Sequence, residues 1–535
     1  MKKFAFVAAL SVCAVTLISL APAENMKPDA SKRIAPTVER FQVSAAVERT
    51  PEQMAAFDAT FASPGQVREV AVRPTIDEAQ YAQMKRAAEL APGMASRPGA
   101  LAPNSPLSSV ALAFAGATEC DGPGGCWVPP DVAGSVGKSQ FVSVSNNVFE
   151  VRSKAGALLS TNSLNGFFGY SAQPMFDPRV QYDEEYQRWI ITADAFPQSG
   201  TVQIFGIAIS KTSSATGAFY RYFINTNGFT GAGNFYDYPM LGLSQDAVLF
   251  TANVFTPSGF AGSSLFSVAK ARLYNGFGWG VPVFTGLIGT METAHQTVND
   301  QNGYAWYAAA PGGSGHIYMV AESFPANPND TGLFGYYDVA GVGAYGIPPS
   351  ASQPSGCGGT LDTLDNRFQN AGTQNSDSYW QTHTVAAGIF SEPRYYKITG
   401  LLGFAPTVSF SNDVFANGSS WDFNPSIAAD ASNAHFALNW SSTNPSAGFP
   451  AGNPSEVFAD NNGGNPSGTF QHLYVFTSAS CANTNGTSRW GDYSQVSIDP
   501  GPGTPSNLNT KIFWIDNETM PGVNFWSTEI AKLNY

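Results

Sequence analysis

From residue 116 onward, short apolar stretches alternate with polar turn residues in a pattern that repeats along the chain. The stretch FDPRVQYDEEYQRWIITADAF, residues 176–196, shows one unit. Val180 and Tyr182 alternate with polar neighbours, DEEYQR is typical of a turn, and WIITADAF predicts a second strand. The unit therefore predicts a β-hairpin that opens on polar residues.

Six other stretches resemble this unit, and they begin at Pro129, Tyr236, Ala294, Thr382, Asn424 and Asp492. Successive units start roughly 40 to 90 residues apart, near the length of known propeller blades with insertions. A few short strands cannot bury both faces alone, whereas units stacked radially close a common core. The pattern predicts an all-β fold, a β-propeller of seven blades at 116–535. Six or eight blades, and a large β-sandwich or jelly roll, are the alternatives.

The first 23 residues have the composition of a secretory signal peptide. Residues 1–3 are basic after Met1, residues 4–20 are apolar, and residues 21–23 read Ala-Pro-Ala. Cys13 lies inside the apolar part and is expected to be removed with it. No later stretch has the roughly 20 apolar residues of a membrane-spanning helix. We therefore expect a secreted protein, extracellular or periplasmic, without membrane insertion.

Residues 24–115 have a different composition, rich in Ala, Pro, Arg and Glu. TPEQMAAFDATF and TIDEAQYAQMKRAAELA predict two short helices, the second opening with a capping box of Thr75 and Glu78. The Pro- and Ser-rich SRPGALAPNSPLSS that follows is typical of a linker. We interpret 24–115 as an N-terminal extension or pro-region, and a flexible spacer is the alternative.

Four cysteines remain after the signal peptide, and an even number in an exported chain favours disulfides. Cys120 and Cys126 bracket the Gly-rich loop ECDGPGGC, so a local bridge is the simplest pairing. That pairing leaves Cys357 with Cys481.

The charge balance limits the partners of the chain. It carries 27 Lys and Arg against 40 Asp and Glu, a net charge of −13. Such a field repels phosphate backbones, which excludes nucleic acid as an expected partner. The sequence has no Cys-x-x-Cys and no His pair with ligand spacing, so no metal site or cofactor is predicted; a structural calcium ion stays open. We expect a monomer.

The polar residues that open each unit are the candidates for chemistry, because the first strands of propeller blades converge on a central funnel. The candidate catalytic residues are Asp131, Asp177, Asp237, His295, His383, Asp492 and Tyr493. The candidate substrate-binding residues are Arg179, Arg489, Trp490 and Asn424.

Two chemistries suit this set. Glycoside hydrolysis uses two carboxylates, and a lyase needs a base such as Tyr493 beside a cation such as Arg489. The structural alternative is that Asp and Asn accept backbone hydrogen bonds and fasten neighbouring blades.

Several motifs carry a family resemblance. PPDVAGSVGKSQFVSVSNNVFEVRSKAG, DPRVQYDEEYQRW, ISKTSSATGAFYRYFI, DYPMLGL, LDTLDNRFQN, THTVAAG and RWGDYSQVSIDP occur in that order over residues 127–520. Together they resemble exported bacterial proteins with propeller folds, near the sialidase-like group. The resemblance implies a propeller. The sequence lacks a clean Asp-box, Ser-x-Asp-x-Gly-x-Thr-Trp, and the arginine triad of sialidases, so sialidase activity is not expected.

Three functional hypotheses follow. The first is a secreted propeller that binds an extracellular polymer, a glycan above all, in its central funnel, with or without cleaving it by hydrolysis or elimination. The second is a non-catalytic cell-surface or matrix interaction platform whose opening residues are structural. The third is a precursor whose N-terminal segment masks the funnel. Whether the protein is an enzyme is left open by the sequence.

Overall fold

A computed structural model describes residues 27–61, 68–91, 109–121, 125–297, 302–461, 472–501 and 511–534. The predicted signal peptide and most of the predicted linker lie outside these residues. The described chain is nearly all β-strand, as the alternating pattern predicted. No helix in the described ranges is long and apolar enough to cross a membrane.

The N-terminal region holds short strands and two helices. These elements are β1 (Arg33–Ile34), β2 (Val38–Val43), β3 (Val47–Arg49), α1 (Pro51–Asp58), β4 (Arg68–Glu69), α2 (Glu78–Glu89), β5 (Ser109–Thr118) and β6 (Trp127–Val128). The two predicted helices are therefore present as α1 and α2.

The start of α2 differs from the prediction. Asp77 caps the helix by accepting a hydrogen bond from the backbone of Gln80. Thr75 does not act as the cap, because its hydroxyl donates to the buried carboxylate of Asp365 at 3.1 Å. The capping box occurs instead at α1, between Thr50 and Gln53.

The rest of the chain forms consecutive groups of four strands. The first group is β7 (Ala133–Val136), β8 (Gln140–Val144), β9 (Val148–Ser153) and β10 (Leu158–Ser163), followed by α3 (Leu164–Phe168). The second is β11 (Met175–Asp183), β12 (Arg188–Ala195), β13 (Ile204–Ser210) and β14 (Phe219–Asn225), followed by α4 (Asn227–Thr230). The third is β15 (Phe235–Leu243), β16 (Ala247–Thr256), β17 (Gly259–Ala269), with α5 (Lys270–Leu273), and β18 (Trp279–Leu287).

Four further groups follow. The fourth is β19 (Ala294–Gln296), β20 (Tyr304–Ala309), β21 (Tyr318–Ser323) and β22 (Gly332–Asp338), and an insertion then carries β23 (Ala351–Ser352) and β24 (Gly358–Leu361). The fifth is β25 (Gly372–Asn375), β26 (Ser378–Ala387), β27 (Phe390–Thr399) and β28 (Thr407–Asp413). The sixth is β29 (Trp421–Ala429), β30 (Phe436–Thr443), β31 (Ser455–Asn461) and β32 (His472–Thr477), with β33 (Asn483–Ser488) after it. The last is β34 (Gln495–Ile498), β35 (Phe513–Gly522) and β36 (Phe525–Asn534), completed by β5.

N-terminal strands extend these groups at their outer edges. Strand β3 pairs with β14, β2 with β18 and β1 with β22, while β5 pairs with β36 at the end of the chain. Residues 33–49 thus cover the outer edges of three groups, which is one way to protect exposed strand edges.

The first strands of the groups contact one another in cyclic order. Strand β7 contacts β11, and the contacts continue through β15, β19, β25, β29 and β34 back to β7. Strand β19 pairs in parallel with both β15 and β25, which joins the third and fifth groups. Side chains at the starts of the first strands therefore lie close together.

A repeated backbone feature marks these starts. Asp177, Tyr238 and Asn424 each precede a proline and have positive φ angles of 49°, 60° and 51°. The pairing register of β11, β15 and β29 shifts at the same places. A bulge of this kind adds one residue and redirects a side chain.

The core lies between neighbouring groups and is rich in aromatic residues. Trp189, Trp306, Trp380, Trp440 and Trp514 are fully buried in strands. Their burial matches the packing role expected for strand tryptophans.

Both predicted disulfides are present. Cys120 is bonded to Cys126, and Cys357 is bonded to Cys481 across a sequence separation of 124 residues. The second bond ties the insertion between the fourth and fifth groups to the segment that precedes the last group.

Candidate functional site

The side chains at the starts of the first strands form what we call the hub cluster. Its seven equivalent positions are Asp131, Asp177, Tyr238, Glu292, Asn370, Asn424 and Asp492; their close neighbours are Arg179, Asp237, Arg367, Arg489 and Tyr493. The sequence therefore predicted most members of this cluster, and the structure shows them to be buried and, for the most part, paired with other protein groups.

Asp131 and Asn146 connect three of the groups. Asn146 donates to the Asp131 carboxylate at 2.7 Å and accepts from the backbone N–H of Asp177 at 2.7 Å. The other oxygen of Asp131 accepts from the backbone N–H of Asp492 at 2.8 Å. Asp131 is fully buried, so this carboxylate fastens the last group to the first.

Arg179 and Tyr493 meet at the centre of the cluster. The Tyr493 hydroxyl donates to Asp177 at 2.8 Å, and the Arg179 guanidinium lies 3.2 Å from the centre of the tyrosine ring. Arg179 also donates to the backbone carbonyls of Pro239 and Gln369.

Arg489 lies between two carboxylates. It donates to Asp362 at 2.8 Å and to Asp492 at 2.7 Å, and its Nε donates to the carbonyl of Val70. Burial alone would lower the pKa of Arg489, but the two carboxylates outweigh it and the net pKa is raised. Arg489 is thus held as a paired cation.

The other two predicted hub residues are also paired. Asp237 accepts from Arg73 at 3.3 Å. Asn424 receives a hydrogen bond from Gln369 at 2.8 Å and donates to the carbonyl of Gly491 at 2.8 Å.

The N-terminal segment of residues 68–91 contacts the hub cluster. The Val70 carbonyl accepts from Arg489, and Arg73 pairs with Asp237. Close to the cluster, Thr75 donates to Asp365, and the buried Lys85 amine donates to Thr363 at 2.7 Å. Burial lowers the pKa of Lys85 to about 8, although Asp362 and Asp365 oppose that shift. This segment occupies polar groups that a substrate at the hub would need.

His295 lies near the opposite end of the first strands. Its ring bonds Gln181 at 3.2 Å and forms an ion pair with Glu184 at 3.0 Å. Burial lowers the pKa of His295, but Glu184 outweighs burial and the net pKa is raised. The adjacent cavity has a volume of about 40 Å³, which holds water but no sugar.

His383 is not on a first strand, which corrects the expected position. It lies on β26, because the alternation of THTVAAG belongs to the second strand of the fifth group, while Asn370 opens the first. Its ring nitrogens bond the Asn366 carbonyl and the Tyr396 hydroxyl. Burial lowers the pKa of His383 to about 3, so the ring is neutral at neutral pH and unsuited to general-acid catalysis.

Burial raises the pKa of two hub carboxyls. Burial, with Asp131, Asp237 and Asp492 nearby, raises the pKa of Asp177 well above its usual value despite the Tyr493 hydrogen bond. Burial raises the pKa of Glu292 to about 8, even though Arg179 and Arg367 oppose it. Neither oxygen of Glu292 has a hydrogen-bond partner among the described residues.

Sequence reasoning missed three of the seven first-strand positions, namely Tyr238, Glu292 and Asn370. Tyr238 could have been found from the shared X-Pro step, since it precedes Pro239 as Asp177 precedes Pro178. Glu292 lies two residues before the predicted start of its unit. Asn370 had no local signal, because the long insertion hides the first strand of its group.

A larger pocket lies beside the cluster. It has a volume of about 490 Å³, and its walls include Glu119, Arg489, Trp490, Glu518 and Trp526. Trp490, a predicted binding residue, is almost fully buried and donates to Ser441 at 2.8 Å, so only its edge reaches this pocket. In the ranges that the structure covers, no three His, Cys, Asp or Glu side chains group as metal ligands would.

No protein-family model matches the chain, and no curated protein matches it. Solved structures show distant similarity. The α-L-arabinofuranosidase of Podospora anserina in complex with cellotriose is 12% identical, covering 56% of this chain and 91% of the enzyme, with a TM-score of 0.29.

Two more solved structures show the same degree of similarity. The exo-β-1,3-galactanase of Phanerochaete chrysosporium with galactose is 10% identical over 79% of this chain and 99% of the enzyme, with a TM-score of 0.31. The Hadza microbial sialidase is 9% identical over 74% of both chains, with a TM-score of 0.35. Scores this low assign neither a fold nor an activity to the chain.

Proposed function

We propose that this chain is a secreted, seven-bladed β-propeller that binds an extracellular glycan and does not cleave it at the hub cluster. In this arrangement each group of four strands is one blade. The cyclic contacts among the first strands support the ring. The pairing of β5 with β36 supports its closure, because it places N-terminal chain in the same blade as the C-terminal strands.

The observation that carries the non-catalytic role is the pairing of every predicted catalytic side chain. Asp131, Asp177, Asp237, His383, Asp492 and Tyr493 are buried, and His295 is half-buried in an ion pair. A general acid, base or nucleophile has to reach the substrate within hydrogen-bond distance. At the hub those positions are taken by protein groups, including Arg73.

Glycan binding is supported by the 490 Å³ pocket, whose size falls within the usual range for small-ligand sites. Hydroxyl, amide and carboxylate groups line it, and all three suit the hydroxyls of a sugar.

The test combines binding and cleavage on one set of polysaccharides. Affinity electrophoresis in gels that contain each polysaccharide measures binding, and assays for reducing ends and unsaturated products measure cleavage. We expect retardation by at least one polysaccharide without product release. Product release that disappears in both Asp177→Asn and Tyr493→Phe would place catalysis at the hub, and the absence of retardation in every gel would reject glycan binding.

A second candidate function is a precursor with a masked hub. The contacts of Val70 with Arg489 and of Arg73 with Asp237 and Arg367 in the hub cluster favour it. This candidate requires the N-terminus of secreted material to lie near residue 100 or beyond. Finding Glu24 at that N-terminus would reject it.

A further inference from the structure

The 490 Å³ pocket is built from parts of the chain that are far apart in sequence. Glu69 on β4, Glu119 after β5 and Glu518 on β35 supply carboxylates. Strand β33 and the residues around it supply hydroxyl and amide groups, such as Thr487 and Asn485. The pairing of β5 with β36, which in turn pairs with β35, brings Glu119 and Glu518 together.

Two of the carboxylates are buried and yet have oxygens free for a ligand. Glu518 is 3% exposed, and one of its oxygens accepts from the backbone N–H of Gly491 at 2.6 Å. Glu119 is 4% exposed, and its carboxylate accepts one long hydrogen bond, 3.4 Å, from the backbone of Trp526. Within the described residues, the second oxygen of each carboxyl has no hydrogen-bond donor, and both side chains line the pocket.

The walls of the pocket are fixed by covalent and hydrogen bonds. Cys120 directly follows Glu119 and is bonded to Cys126. Cys481 directly precedes the pocket residue Ala482 and is bonded to Cys357. A preformed site of this kind binds with a smaller entropic cost than a mobile one.

We infer that this pocket binds one neutral hexopyranose unit of the glycan, with Glu119 and Glu518 accepting hydrogen bonds from its hydroxyls. This inference rests on the proposed function and assigns the site for it. Apolar parts of Val128, Ala482 and Met520 face the same space and suit the C–H face of a sugar ring.

The charges of the pocket favour a neutral sugar over an acidic one. Among the lining residues that the structure describes, Arg489 is the one cation, and Asp362 and Asp492 already pair with it. A uronate would therefore meet carboxylates without a free counter-charge. Burial also raises the pKa of Glu518 well above its usual value, with Asp131 and Glu119 adding to the shift although Gly491 and Arg489 oppose it.

Ligand-observed NMR on the full chain tests the site. The probes are methyl β-D-glucopyranoside, methyl β-D-galactopyranoside and methyl α-D-mannopyranoside, with glucuronate as the acidic probe. We expect at least one neutral probe to bind and glucuronate not to bind. Glu119→Gln and Glu518→Gln replace one of the two acceptor oxygens by an NH2 group that can only donate, and we expect each to weaken binding roughly 10-fold to 100-fold.

Two further variants separate loss of the site from loss of the fold. A side chain added at Gly486 meets no heavy atom within 4 Å of its Cβ, so Gly486→Tyr should fill the pocket without disturbing the fold and abolish probe binding. Glu39→Gln changes an exposed carboxylate on β2 and should bind as the wild type does.

The outcomes distinguish this inference from the proposed function. Polysaccharide retardation that persists unchanged in Glu518→Gln and Gly486→Tyr would overturn the site but keep glycan binding. Failure of all three neutral probes to bind would also overturn the site. If the wild type is not retarded by any polysaccharide, both the site and the proposed glycan binding would be overturned. Binding of glucuronate at the same pocket would overturn the neutral-sugar assignment.

Discussion

The Arg179 guanidinium lies 3.2 Å from the centre of the Tyr493 ring, and the hydroxyl of that ring donates to Asp177 at 2.8 Å. All three residues are buried. A cation over a tyrosine face that also hydrogen-bonds a carboxyl is a stable arrangement away from water. We therefore treat the centre of the hub as a joint between strand groups.

Tyr493→Phe tests this structural role. The variant keeps the ring beneath Arg179 but removes the hydrogen bond to Asp177. Loss of a buried hydrogen bond should lower the free energy of unfolding by about 1–3 kcal/mol, as measured by urea denaturation. Glycan binding by the folded variant should equal that of the wild type.

The matched control is Tyr186→Phe, since that side chain is 47% exposed. It should leave stability within about 0.5 kcal/mol of the wild type. A Tyr493→Phe variant of wild-type stability would contradict the assigned role.

Glu292 predicts a pH dependence of stability. Its pKa in the folded protein is about 8, above the ordinary 4.5, because it is fully buried. The folded state therefore binds the proton more tightly than the unfolded state. The contribution of Glu292 to stability falls as pH rises from 4.5 to about 8, by up to about 5 kcal/mol.

Urea denaturation of the wild type and of Glu292→Gln at pH 5 and pH 9 checks whether stability falls as the pH rises. The variant lacks the titrating group, so its stability relative to the wild type should be higher at pH 9 than at pH 5. Glu39→Gln, an exposed carboxylate, should show no such difference. An equal stability difference at the two pH values would show that Glu292 is not the buried acid described above.

Arg73→Ala tests how residues 68–91 are held on the hub. The variant removes an ion pair with Asp237 at 3.3 Å and a contact 4.1 Å from the centre of the Phe235 ring. Arg73 is partly exposed, so its removal should lower the free energy of local unfolding of residues 68–91 by about 1 kcal/mol. Backbone hydrogen exchange in these residues should then be roughly fivefold faster. Arg86→Ala, on the exposed side of α2, is the control and should exchange at the wild-type rate.

Backbone hydrogen exchange in β7 and β11 should stay unchanged in Arg73→Ala, because these first strands contact each other and lie outside residues 68–91. Faster exchange throughout the first strands would mean that the N-terminal segment is part of the core, which contradicts a removable mask.

The two disulfides should differ in their contribution to stability. Cys357 and Cys481 are 124 residues apart, whereas Cys120 and Cys126 are 6 apart. The chain-entropy model assigns more stabilisation to the longer loop, by about 2–3 kcal/mol. Replacing each pair by serines and measuring both unfolding free energies checks the order, and equal losses would contradict it.

The sequence was sufficient to locate strand groups and most hub residues because those signals are local. Asp131, Asp177 and Asp492 each stand at or just before a short alternating strand. The fifth group shows where this fails. His383 lies on the second strand, β26, and Asn370 lies just before the first strand, β25. The two strands alternate in a similar way, so the pattern does not show which of them is the first.

The pairing of the hub and the larger pocket could not be predicted from the sequence. Glu119 and Glu518 are 399 positions apart and meet only because β5 pairs with β36. Arg73 likewise reaches Asp237 from the N-terminal region, whose composition suggested a spacer or pro-region. Such contacts join residues that are far apart in the sequence and depend on the tertiary structure.

A crystal structure of the full chain with the oligosaccharide of the polysaccharide that binds best would show whether the sugar lies in the pocket or at the hub. We predict sugar density in the pocket between Glu119 and Glu518, with residues 68–91 still in contact with the hub. Sugar density against Asp177 and Tyr493, with residues 68–91 displaced, would contradict the account.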